Sequence, residues 1–143
     1  MTTDETLNDR ILKWSLLAGV GYFCCMAAAH FTGFKVPVLF IYYDVPFYAY
    51  QDKIISFCAF TYACLFHAAA QHRAAVPAAL VSIVVTVLGL SAVNLSEALH
   101  SVLKGAPTTA YWIQTVMIAG YAVWLIVFYV RSGAPHVRAV AAR

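Results

Sequence analysis

Five side chains in this sequence have the chemistry to bind a metal ion or to exchange protons. They are two histidines and three acids: His30, Asp44, Asp52, Glu97 and His100. Glu97 and His100 form a Glu-x-x-His motif, and residues three apart lie on one face of a helix. Helical bundles that bind metals through carboxylates use this spacing to direct two ligands at one ion. The motif therefore makes this set a candidate metal site. We call it the outer cluster, because the orientation predicted below places it at the outer end of the protein.

The outer cluster is incomplete as a di-metal site, which needs a second Glu-x-x-His motif and two further glutamates. A mononuclear site remains open, with His30, Glu97 and His100 as ligands and Asp44 or Asp52 beside them. Imidazole and carboxylate ligands suit Zn, Fe, Mn or Cu. A haem b held by the two histidines, or a quinone, is a less favoured cofactor. In the simpler interpretation the five groups hydrogen-bond one another and meet water.

The composition indicates that these groups belong to a membrane protein. The chain has 143 residues, of which 63% are hydrophobic and 10% are charged. A soluble domain carries about 25% charged residues, so these few charges would not cover a water-exposed surface. The net charge of +3 comes from scattered Lys and Arg, which gives no support for nucleic-acid binding. Membrane lipids are therefore the expected surroundings.

Four apolar runs are about as long as the roughly 20 residues that a membrane-spanning helix needs. They cover residues 14–31, 54–70, 76–95 and 110–130. The runs are continuous and do not alternate with a period of two, which favours helices over a barrel. We therefore predict an all-α integral membrane bundle of four helices that run up-down-up-down. Residues 1–131 would form this domain. Residues 132–143 would form a short basic tail, with the last helix ending at Ser132, Gly133 and Pro135.

The distribution of Lys and Arg predicts the orientation of the bundle. If the N-terminus is inside, six basic residues are inside, Arg10, Lys13, Arg73, Arg131, Arg138 and Arg143. Three are outside, Lys35, Lys53 and Lys104. We therefore expect both termini in the cytoplasm and, from the size of the chain, a bacterial inner membrane. This topology gathers the outer cluster at the outer end.

The connection between the first two spans is unusually apolar. Residues 32–51 include Tyr42, Tyr43 and Tyr50, and Pro37 and Pro46 favour an irregular path. We expect this segment to lie in the outer interface, either as an anchor or as a lid over a site. At the end of the third span, Asn94 and Ser96 are expected to bond to a neighbouring helix or to help solvate Glu97.

The motifs of nucleophilic triads, phosphate loops and dinucleotide-binding folds are absent from the sequence. We therefore favour a non-enzymatic accessory or binding subunit of a membrane complex, associated with copies of itself or with other chains. The alternative is a redox component that uses the outer cluster with a metal or quinone. A small transporter ranks third, because the spans lack the central acids and bases that transporters of ions usually show.

Overall fold

The computed structural model describes residues 6–36, 38–39 and 48–141. Five α-helices lie in this part of the chain: α1 (Leu7–Thr32), α2 (Ala49–Gln71), α3 (Val76–Asn94), α4 (Glu97–Leu103) and α5 (Thr109–Ala141). A short 3₁₀ turn, Arg73–Ala75, joins α2 to α3. All of the α-helices except α4 are long and apolar enough to cross a membrane. The prediction of an all-α bundle with four spans is confirmed.

The four spans form a closed ring. α1 packs against α2 and α5, and α3 packs against the same two helices. Contacts between opposite ends of neighbouring helices show that the neighbours are antiparallel. His30 at the end of α1 meets Asp52 at the start of α2, and Asn94 at the end of α3 meets Thr115 near the start of α5. We call the His30 end of the bundle the outer end and the opposite end the inner end.

Small side chains allow α1 and α2 to approach closely. The buried face of α2 repeats every three or four residues, through Asp52, Ser56, Ala59, Ala63 and Phe66. Small residues promote helix association in lipid, where van der Waals packing replaces the hydrophobic effect. On α1, Gly19 lies against Phe66, and a Cβ atom there would be 2.7 Å from the Phe66 ring. A larger residue at this position would therefore have to displace its neighbours.

Aromatic and aliphatic side chains fill the space inside the ring. The rings of Phe23 and Phe66 meet edge to face with their centroids 5.1 Å apart, and Leu16, Ile83 and Leu125 are fully buried around them. Only 22–33% of the residues in the apolar stretch of each span are buried inside the bundle. Most of the apolar surface of the spans therefore faces outward. This outer surface fits a lipid environment, because a surface in contact with lipid needs no charged residues.

Two details at the helix ends differ from the sequence-based expectation. α5 continues to Ala141, so the expected end of the last helix at Ser132, Gly133 and Pro135 is wrong. Pro135 removes one backbone hydrogen bond, but alanine and arginine, good helix formers, follow it. The division into a domain and a tail remains a prediction. The second difference is α4, a separate helix that begins because Ser96 accepts a hydrogen bond from the Leu99 N–H at 3.3 Å.

Candidate functional site

Two members of the outer cluster meet at the outer end. Nδ1 of His30 lies 2.9 Å from Oδ1 of Asp52. The second carboxylate oxygen of Asp52 accepts the backbone N–H of Tyr48 at 3.0 Å. Asp52 is 7% exposed. Because both oxygens have partners, the pair can be buried, and it ties the first turn of α2 to the last turn of α1.

The helix termini favour this arrangement of charge. The start of a helix carries partial positive charge and its end partial negative charge, so an ionised acid is stabilised at the start and a protonated histidine at the end. Asp52 lies in the first turn of α2 and His30 in the last turn of α1. The pair therefore forms a hydrogen-bonded latch between two antiparallel helices.

Glu97 and His100 do not join this pair. Both are exposed on α4, and among the described helices α4 packs against neither α1 nor α2. Leu99 and Leu103 turn the apolar face of α4 toward Tyr111. The break at Ser96 sets the direction of α4, and no clear signal in the sequence predicted it.

No group of three potential metal ligands comes together within the part of the chain that the structure describes. Asp44 lies outside the described residues, as does most of the aromatic connection between α1 and α2. The metal site of His30, Glu97 and His100 and the bis-histidine haem therefore remain predictions. The described geometry supplies a histidine–carboxylate pair.

Polar side chains also join α3 to α5. The amide nitrogen of Asn94 donates to the Thr115 hydroxyl at 2.9 Å, and both residues are buried. The Thr115 hydroxyl donates in turn to the Tyr111 carbonyl at 3.0 Å. The expectation that Asn94 bonds to a neighbouring helix is confirmed.

A described piece of the connection between α1 and α2 contacts α1 and α5, with Leu39 still 47% exposed. The Leu39 carbonyl accepts hydrogen bonds from the Tyr22 hydroxyl at 3.1 Å and from Nε2 of Gln114 at 3.2 Å. Val38 before it has a φ of 70°, a conformation that is rare for a β-branched residue. Such strain persists where the surroundings hold it in place and is found at ligand sites. Leu39 is thereby fixed between α1 and α5.

Beside Leu39 lies a half-open pocket of about 290 Å³, which we call the central cavity. Side chains of α1, α3 and α5 line it together with this leucine, among them Ala18, Tyr22, Ile83, Met117 and Tyr121. The Tyr121 hydroxyl donates to the Ser15 carbonyl at 2.8 Å, and the Tyr22 hydroxyl donates to Leu39. Since both hydroxyls are engaged with backbone, the walls that remain are apolar.

The central cavity was not predicted from the sequence. The adjacent small residues Ala18 and Gly19 beside Tyr22 were the available signal, because small side chains near large rings leave space. That signal is weak, since small residues also occur wherever two membrane helices pack.

Comparison with known proteins identifies no relative: the sequence matches no protein-family model, no curated protein and no solved structure. Its function must be inferred from its own residues.

Proposed function

We propose that this small polytopic membrane protein is a non-enzymatic binding subunit of a membrane complex. What it binds is an apolar chain or ring system, taken from the lipid phase into the central cavity. The observation that carries the proposal is the cavity itself, about 290 Å³ of space between α1, α3 and α5. Ligand pockets in proteins start at about this size, roughly 300 Å³, and are mostly apolar.

The chemistry of the walls supports an apolar ligand. The hydroxyls of Tyr22 and Tyr121 both donate their protons to backbone carbonyls, so neither has a proton left to donate to a ligand. Met117 lines the mouth of the cavity and is 43% exposed. Methionine adapts to ligands of different shape because it is unbranched and polarisable. Leu39 covers one side of the cavity, held there by two hydrogen bonds.

The histidine–carboxylate pair supports a structural role better than a catalytic one. Asp52 has a partner on each oxygen, and the two residues join helices that the bundle needs together. A redox component using a metal or quinone at the outer end remains the alternative function. It would need Glu97 and His100 to approach the pair, and α4 is packed on α3 and on Tyr111.

We further propose that the termini are cytoplasmic and that the membrane is a bacterial inner membrane. The inner end of the described bundle carries Arg10, Lys13, Arg73 and Arg131. Cytoplasmic ends of membrane helices are enriched in such residues. Single cysteines at Thr108 and at Gln71, each in a cysteine-free background, would test the orientation. An impermeant thiol reagent should label intact cells at Thr108→Cys alone, and the reverse pattern would invert the topology.

Filling the central cavity tests the binding proposal. Ala18→Phe and Met117→Trp place rings in the cavity or at its mouth. Gly21→Phe is the matched control, because no described atom lies within 4 Å of a Cβ built at Gly21. We expect native mass spectrometry in mild detergent to show an apolar molecule on the wild type and on Gly21→Phe. Its loss from both cavity variants, with unchanged size-exclusion profiles, would support the proposal.

Two outcomes would contradict the proposal. The first is equal retention of the bound molecule by the cavity variants and by the control, since the molecule would then sit elsewhere. The second concerns the complex: a wild-type chain that migrates alone in every mild detergent would refute its role as a subunit. Affinity purification in mild detergent shows both the bound molecule and any partner chains. Metal content and visible absorbance are measured on the same sample.

A further inference from the structure

Arg73 joins three parts of the chain at the inner end. Its Nη1 donates to the Asp9 carboxylate at 3.1 Å and to the Ser132 hydroxyl at 2.8 Å. Its Nη2 donates to the Tyr129 carbonyl at 3.2 Å, and the guanidinium lies 5.0 Å from the centre of the Tyr129 ring. Arg73 thus contacts Asp9, which is 64 positions away in the sequence, and Ser132, which is 59 positions away. The arginine is therefore held in one place before any ligand arrives.

A second cavity, of about 200 Å³, opens beside this arginine, and we call it the inner cavity. Its rim is polar and includes Lys13, Gln71 and Arg73, with Asp9 also on the rim. Its floor is apolar and is formed by Leu12, Leu16 and Val76, all of them buried. A ligand that fits both parts has a charged head and an apolar body.

The charges on the rim favour an anion. Asp9 is already engaged by Arg73 at 3.1 Å, so its charge is largely offset. The ammonium group of Lys13 takes part in no hydrogen bond or ion pair with another described residue. This lysine therefore supplies the available positive charge, and Arg73 adds fixed N–H donors close to it.

The depth of the inner cavity matches the level of lipid headgroups. Trp14 follows Lys13 directly and is 66% exposed, and Tyr129 lies beside Arg73. Tryptophan and tyrosine side chains are enriched where membrane meets water. Basic pockets between helices at this level bind anionic lipid headgroups.

We propose that the inner cavity binds an anionic phospholipid, with its phosphate at Lys13 and Arg73 and its glycerol and upper acyl carbons on the apolar floor. This site lies at the opposite end of the bundle from the histidine–carboxylate pair, and it does not depend on the central cavity or on its ligand. A free phosphate shares the charge but would gain nothing from Leu12, Leu16 and Val76. The lipid is therefore the source that the cavity fits.

The test compares Lys13→Gln with Arg10→Gln in the full-length protein. Both variants remove one positive charge at the same end of the bundle, but Arg10 does not line the inner cavity. The proteins are placed in nanodiscs of phosphatidylcholine with phosphatidylglycerol, whose two leaflets are alike, so the result does not depend on orientation. The lipids retained after transfer to mild detergent are counted by native mass spectrometry.

We expect the wild type and Arg10→Gln to retain phosphatidylglycerol in preference to phosphatidylcholine. Lys13→Gln should weaken that retention about five-fold, because a basic residue near the membrane surface contributes about 1 kcal/mol to the binding of anionic lipid. Equal losses in the two variants would overturn the proposal, since the attraction would then be a general surface charge. Binding of inorganic phosphate to the wild type as tight as the binding of phosphatidylglycerol would also overturn it, because the apolar floor would then contribute nothing and the site would recognise a phosphate ion and not a lipid.

Discussion

Replacing Gly19 by alanine tests the close packing on which the bundle depends. The nearest atom to the added methyl group would be the hydroxyl oxygen of Tyr121, and the Phe66 ring would lie 2.7 Å away. Phe66 is fully buried and cannot swing into open space. Overpacking of this kind costs about 1–3 kcal/mol. Displacing the Tyr121 hydroxyl from the Ser15 carbonyl adds about 0.6 kcal/mol.

The gain from helix propensity offsets part of this cost. Alanine is favoured over glycine in a helix by up to about 1 kcal/mol, so we expect Gly19→Ala to lower the free energy of unfolding by about 2 kcal/mol. Gly21 lies two residues away in α1, and its outward side is open. Gly21→Ala should therefore leave stability unchanged or raise it by up to about 1 kcal/mol.

Reversible unfolding in mixed micelles, followed by far-ultraviolet circular dichroism, measures this difference. The double variant Gly19→Ala with Tyr121→Phe adds a second check. Removing the hydroxyl relieves the nearest contact, so part of the lost stability should return. A Gly19→Ala protein as stable as Gly21→Ala would refute the packing of α1 against α2 and α5 described above.

Two further variants test the polar contacts at the two ends of the bundle. Asp52→Ala removes an acceptor shared by a histidine and a backbone N–H, so unfolding should become easier by about 1–3 kcal/mol. Glu97→Ala, at an exposed acid of the same end, should stay within about 0.5 kcal/mol of the wild type. A similar effect of both changes would argue against the latch. Arg73→Ala should lower the midpoint of thermal unfolding in detergent, because it removes the hydrogen bonds that tie the α2–α3 connection to Asp9 of α1 and to Ser132 and Tyr129 of α5. Arg10→Ala serves as the exposed control, and an unchanged midpoint in Arg73→Ala would show that these contacts do not stabilise the fold.

Local signals in the sequence were sufficient for the membrane spans and several of their ends. The scarcity of charge identified four apolar runs, and each became a helix. Gly33 follows α1 with a φ of 73°, a conformation that glycine adopts readily. Pro77 lies in the first turn of α3, where the missing N–H costs little. These features depend on a residue and its near neighbours, so reading the chain in order reveals them.

The composition of the candidate sites was decided by the tertiary structure. His30 and Asp52 are 22 positions apart, and nothing in the sequence selected this pair from the five members of the outer cluster. Arg73 reaches Asp9 across 64 positions. The two cavities likewise arise where several helices meet.

The physical reason lies in the surroundings of the chain. In water, an amphipathic pattern shows which face of a helix turns inward. In lipid, the outer face is as apolar as the inner one, so the sequence of each span indicates poorly how that span is rotated. The sequence by itself therefore determined that this protein has four spans and roughly where they begin and end. Close packing of Gly19, Phe66 and their neighbours set the rotation of the helices, and that rotation determined which polar groups meet.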